Sequence, residues 1–264
     1  MNPIDKKLEE IKKRGTVGLM THVVVGYPNL KMTVEIVKTM AKAGADFVEL
    51  QIPFSDPLAD GPTIMKACEK SLEQGTKVSD AFIVAKKLSR EVSVPLLFMA
   101  YFNTVFVYGV EKFCTEAKVA GISGLIVPDM PLEEESREHL EGYAKKNGLY
   151  LLSVVAPVST KDRLQKNALV ARGFVYCSAR QGITGAKKSL DPNLTKYLKT
   201  VRRFFKIPVA VGFGISRREQ VDVIAAYADV VVVGSAIIDL IHKSDSKKVL
   251  TNVEHFVREL CVKK

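Results

Sequence analysis

The stretch DFVELQIPFSDPLADGPT, Asp46–Thr63, sets the architecture. Its first part, Asp46–Ile52, is a short apolar run with one carboxylate, Glu49, in the middle. Successive side chains of a strand point to opposite faces. Val48, Leu50 and Ile52 therefore share one face, and Phe47, Glu49 and Gln51 the other. The all-aliphatic face calls for a cover of helices, so the mixed face, with Glu49, points into the mouth of a barrel. The connection that follows, Pro53–Pro62, is long for a strand-to-helix loop, and prolines 53, 57 and 62 stiffen it.

Runs of the same kind recur along the chain: Leu19–Val25, Val94–Ala100, Gly124–Asp129, Leu149–Ala156, Gly173–Ala179, Ile207–Phe213 and Asp229–Ser235. They are nearly continuous and β-branched, as parallel strands covered on both faces require. Between them lie amphipathic stretches that predict helices over Met32–Ala43, Ser79–Glu91, Val110–Ala120, Glu133–Asn147, Thr160–Ala171, Asn193–Phe205 and Arg217–Tyr227. Gly44, Gly121, Gly148 and Gly173 stand where helices end, and Ser159-Thr160 and Ser216 where N-caps belong. This alternation predicts an α/β fold: a (β/α)8 TIM barrel, one domain over residues 1–264, with an extra N-terminal helix before Gly15 covering the floor. An open doubly wound sheet satisfies the same alternation.

Composition narrows the function classes. Apolar residues make up 47% of the chain, enough for a large core, and no apolar run is long enough for a membrane span. The charged N-terminal segment lacks the apolar core of a signal peptide and predicts a cytoplasmic protein. Cys68, Cys114, Cys177 and Cys261 form no CxxC pair and read as free thiols; they and the four histidines lack metal-ligand spacing, so no metal is expected. The net charge of +10 comes from lysines spread over the length without interleaved aromatic residues. That pattern reads as a solvated surface rather than a nucleic-acid platform, and its field favours an anionic small-molecule substrate.

Strand ends and the loops after them carry the chemistry of such barrels. There stand Glu49 and, in its loop, Asp60. Glu49 reads as a partly desolvated acid–base group or as the partner of a barrel base; Asp60 reads as a second reacting acid or as a helix N-cap. Three glycine-bearing stretches follow the last three runs: Ser178–Gly185, Gly212–Ser216 and Gly234–Ala236. Glycines let backbone N–H groups approach a phosphate, and a helix beginning after Gly234 would aim its N-terminus at the anion.

The motif E-L-x-x-P-F-S-D-P-x-A-D-G-P, beginning at Glu49, resembles the signature of the tryptophan synthase alpha chain family. R-Q-G-I-T-G, Arg180–Gly185, is similar to that family's mobile loop, and the likeness runs from about Gly15 to Leu260. The resemblance implies a lyase of tryptophan biosynthesis that splits indole-3-glycerol phosphate by retro-aldol cleavage into indole and glyceraldehyde 3-phosphate. It implies Glu49 and Asp60 as the catalytic pair, and Tyr176, Thr184, Phe213 and His22 around the substrate. It implies Gly185, Gly214, Gly234 and Ser235 on the phosphate, and Arg180 and Gly182 in a lid. The chain itself would need no cofactor. Pyridoxal phosphate would belong to a beta chain that takes the indole in an alpha2beta2 complex and meets Pro53, Asp56, Pro57, Asn103 and Pro131. A free-standing lyase that releases indole, a weakly active barrel that activates a beta chain, and another phosphate-barrel isomerase or aldolase are the competing readings. The chain departs from the family at three places: His22 replaces an aromatic or apolar residue, Gln51 a glycine and Met65 a glutamine. Gln51 shares the face of Glu49 and is expected to hydrogen-bond it.

Overall fold

A computed structural model describes residues 1–178, 192–212 and 214–261. Among the described residues, nine strand segments, all parallel, form one sheet: β1 (Gly18–Val24), β2 (Phe47–Gln51), β3 (Leu96–Met99), β4 (Ile122–Ile126), β5 (Tyr150–Leu151), β6 (Val154–Val155), β7 (Val175–Ser178), β8 (Val209–Gly212) and β9 (Val230–Val233). The sheet runs β5-β4-β3-β2-β1-β9-β8-β7-β6. Its two ends, β5 and β6, are halves of one extended run, residues 150–155. The Leu152 N–H still bonds to Leu125 on one side, while the Ser153 carbonyl already accepts from Tyr176 on the other. The ladder therefore closes on itself. The eight predicted runs make an eight-stranded barrel, and the open-sheet alternative falls.

Two apolar shells follow from the alternation of side chains. Val48, Leu50 and Ile52 lie in the outer shell between strands and helices. Phe47 lies in the inner shell with Met20, Leu97, Met99, Ile126, Leu152 and Phe174. The helix Pro3–Arg14 plugs the floor of the inner shell with Ile4 and Ile11. Asn2 caps that helix and also bonds to the carbonyls of Ser123 and Gly148, which ties helix to barrel. Only glycine fits where Ile4 seats: a β-carbon would come within 2.9 Å of Ile4 at Gly124 and 3.1 Å at Gly173. Ile4 is fully buried, so Ile4→Ala should cost about 2–5 kcal/mol of unfolding free energy, read from urea melts.

The helical predictions hold with local exceptions. The stretch predicted as one helix over Glu133–Asn147 is broken into Leu132–Glu134, Glu135–Glu138 and Leu140–Lys146. His139 turns left-handed at φ 55°, and the Glu135 carboxylate accepts the N–H groups of Glu141 and Gly142. That carboxylate satisfies donors that a helix start leaves bare, so the break is locally stable. Thr160 is the N-cap expected of it, but Ser216 is not one: Arg217 holds that position, and the Gln220 side chain accepts from the N–H groups of both. Helices Pro62–Glu73, Phe102–Tyr108 and Val249–Leu260 lie outside the predicted ranges. Among the described residues, no helix is long and apolar enough to cross a membrane, and no cluster of acids, histidines and cysteines could hold a metal.

Candidate active site

Glu49 sits on β2, two residues above Phe47, and is 2% exposed. The register of β1 and β2 pairs it with His22, equally buried. Their side chains meet at 3.3 Å, His22 Nδ1 to Glu49 Oε1. The Tyr176 phenol on β7 faces the same carboxylate; burial, then Glu49 and Asp60, holds it well above the usual phenol range. Glu49 Oε2 and His22 Nε2 are buried with no hydrogen-bond partner among the described residues. The sequence left open a basic partner for Glu49, and one is present: a histidine on the neighbouring strand rather than a lysine or arginine.

Asp60 comes over this pair from the loop. Gln51 Nε2 donates to its Oδ2 at 2.6 Å and the Tyr101 hydroxyl at 3.0 Å. Gln51 thus serves Asp60, not Glu49 as expected. Asp60 does not cap the helix Pro62–Glu73, whose N-cap is Gly61. Burial holds the Asp60 carboxyl above its usual range; the His22 charge, Gln51 and Tyr101 pull the other way without cancelling it. Among the described residues, no hydrogen bond reaches Oδ1.

Tyr101, just past β3, organises the loop and was missed in the sequence. It is 2% exposed, accepts the Ala59 N–H at 2.9 Å and stacks on Phe54 with ring centroids 5.3 Å apart. Its position immediately after a strand is the available signal, because that is where barrel chemistry gathers.

Gly214, Gly234 and Ser235 lie at the same end, after β8 and β9. The helix Ser235–Lys243 starts there, and the first N–H groups of a helix have no partner within it. Thr184, Gly185, Arg180, Gly182 and Phe213, expected on substrate, phosphate and lid, lie outside the described residues. Of the residues expected to meet a partner chain, Asp56 and Asn103 are exposed and Pro131 is half-buried, whereas Pro53 and Pro57 are buried within the chain. Met65 is 44% exposed on the helix that follows the loop.

Fold and site together define a (β/α)8-barrel enzyme built around a buried carboxylate that meets an imidazole. The sequence model of the tryptophan synthase alpha chain family matches residues 8–263. The tryptophan synthase alpha chain of a Thermoanaerobacter species is 40% identical over 261 residues, which cover 98% of each chain. That of Desulfotalea psychrophila is 44% identical over 246 residues, 93% of this chain and 96% of the relative. The crystal structure of the alpha chain from Legionella pneumophila superposes with a TM-score of 0.89 at 30% identity, covering 98% and 96% of the two chains. A structure of tryptophan synthase from M. tuberculosis gives 0.88 at 29% identity, covering 98% of both chains. The chain belongs to the tryptophan synthase alpha chain family. It is an indole-3-glycerol-phosphate lyase.

Proposed function

We propose that Glu49 and Asp60 are the catalytic pair of this lyase, acting on indole-3-glycerol phosphate as one domain. The observation that supports this most is their convergence: β2 buries Glu49 in the barrel, and the loop above it brings a second, half-buried acid, held by Gln51 and Tyr101. The bond to be broken joins indole C3 to C3′ of the glycerol chain. It breaks once the ring becomes an electron sink, by protonation at C3. Glu49 delivers that proton and takes one from the C3′ hydroxyl. Asp60 accepts a hydrogen bond from the indole N–H as positive charge grows on the ring. Tyr176 lines the same mouth. The N–H groups at Gly214, Gly234 and Ser235 receive the phosphate.

Tyr101→Phe keeps the ring stacking but removes the hydroxyl that holds both Ala59 and Asp60. Losing a hydrogen bond to a charged group costs about 1.5–3 kcal/mol, so kcat/KM should fall by about 10- to 100-fold. Steady-state kinetics on the purified variant measures it.

We place the enzyme in the cytoplasm, where free thiols persist. Cys68, Cys114 and Cys177 are buried free thiols; burial pushes the first up to about 11 and the others up to about 12, which marks them as unreactive fillers. The partner is a pyridoxal-phosphate-dependent beta chain that receives the indole. Asp56 and Asn103 border apolar side chains open to solvent, Leu58 beside the first and Phe106 and Val107 on the second's helix, at 76%, 57% and 77% exposure. Exposed apolar groups of this kind mark interaction surfaces. The test measures indole release by the purified chain with and without beta chain. A rate that rises on adding beta chain supports the complex. An unchanged rate points to a free-standing lyase, and no release in either arm to an activator.

A further inference from the structure

We propose that His22 is the proton store of the active site, a positioning residue that keeps one transferable proton beside Glu49 at neutral pH. The inference rests on the assignment of Glu49 as the acid–base group.

The geometry comes first. His22 and Glu49 are register partners on adjacent parallel strands, so their side chains leave the sheet on the same face at the same height. They meet at 3.3 Å, and both are almost wholly buried. Each has a second polar atom, His22 Nε2 and Glu49 Oε2, buried with no partner among the described residues. A pair built only for structure would satisfy those atoms within the protein.

The chemistry then asks for a proton. Cleavage starts by placing one on indole C3. A lone carboxylate would have to draw that proton from solvent, whereas an imidazolium at 3.3 Å already holds one. In the pair, Nδ1–H of the imidazolium passes its proton to Oε1, and Glu49 gives a proton to C3. The C3′ hydroxyl proton then moves to Glu49 as its oxygen becomes the aldehyde. The electrons of the broken C3–C3′ bond return to the ring and restore indole. One proton leaves the pair and one comes back, so the pair ends as it began.

The surroundings keep the store charged. Burial opposes the imidazolium, but Glu49, then Asp60 and Gln51, hold His22 above its ordinary 6.5. From β7 comes the Tyr176 phenol, against Glu49. On the other flank β9 brings only valines, with Gly234 after it against the imidazole ring. Of the titratable groups of the helix Ser235–Lys243, Asp239 and His242 turn to Tyr27 instead, and Lys243 is exposed. A group raised in this way is charged through pH 6.5 and loses its proton as pH rises through its folded value. Activity should therefore fall on the alkaline side.

The experiment is a pH–rate profile of indole formation from pH 5.5 to 9 on wild type, His22→Gln and His22→Phe, with the His22 titration followed by NMR in the wild type. Gln retains a hydrogen bond to Glu49 but carries no titrating proton. The wild-type alkaline limb should coincide with the His22 titration. Both variants should lose roughly 100-fold in kcat at pH 7.5, the usual size of a proton-transfer contribution, with KM little changed. Both should lose that limb. Wild-type rate and profile in His22→Gln would overturn the proposal, since hydrogen bonding alone would then suffice; His22→Gln decides the matter if the Phe variant does not fold. Activity surviving in Glu49→Gln would instead remove the assignment beneath it, whatever His22 does.

Discussion

Glu49→Gln is expected to cut indole formation by about 10²–10⁴-fold while the chain stays folded, because the amide occupies the same space but can neither give nor take the reacting proton. Gln can still meet His22, so the inner shell keeps its packing. The loss should appear in kcat, with KM little moved, since the group acts on the transition state rather than on ground-state binding. Stability should separate the same two proteins in a pH-dependent way. The raised His22 value contributes stability that is fully present below 6.5 and lost as pH rises through the folded value. With the carboxylate gone, burial is left to disfavour the imidazolium. The variant should therefore melt lower than wild type near pH 6 and alongside it near pH 9. Thermal melts at the two pH values, next to an indole assay, measure both effects. Wild-type turnover in this variant would refute the acid–base role.

The strands were legible because their signal is local. Each apolar run can be read without knowing its neighbours, and the inward phase of Glu49 follows from alternation within Phe47–Gln51 alone. Barrel closure is not local. It depends on residues 150–155 turning one half of their backbone groups to β4 and the other half to β7, and no residue type encodes that. The His22–Glu49 contact was hidden for a related reason: it is set by the register between two strands separated by a helix. Gln51 misled for the opposite reason. It does share a face with Glu49, but residues two apart on a strand stand roughly 6.6 Å apart. The nearer carboxylate is Asp60, which the proline-stiffened loop folds back over Gln51. The break at His139 was legible only in hindsight, since it turns on a carboxylate, Glu135, reaching forward to a helix that starts five residues later.

Asp60→Asn is expected to separate activity from stability. With its one oxygen held by Gln51 and Tyr101, Asn turns its NH2 toward the indole N–H, so it loses both the acceptor and the charge that answers the positive ring in the transition state. Removing one preorganised group of this type costs about 2.7–4 kcal/mol, which predicts a fall of about 10²–10³-fold in kcat. The fold should respond the other way. Burial raises the Asp60 carboxyl above its usual range, so its ionised form is the less favoured one in the folded chain. By linkage, the associated stability is fully present only at acid pH and is gone once pH has risen through the folded value. At pH 7 the wild type therefore holds a charge that its surroundings disfavour, and Asn removes it while its oxygen still accepts from Gln51 and Tyr101. The variant should melt at or above the wild-type temperature at pH 7, with the gain vanishing toward pH 3. A lower melting temperature at neutral pH would show that the charge stabilises the loop. The reactive acid would then be one that the fold also needs, and a site strained for catalysis, the usual reason for such a trade, would not be present here.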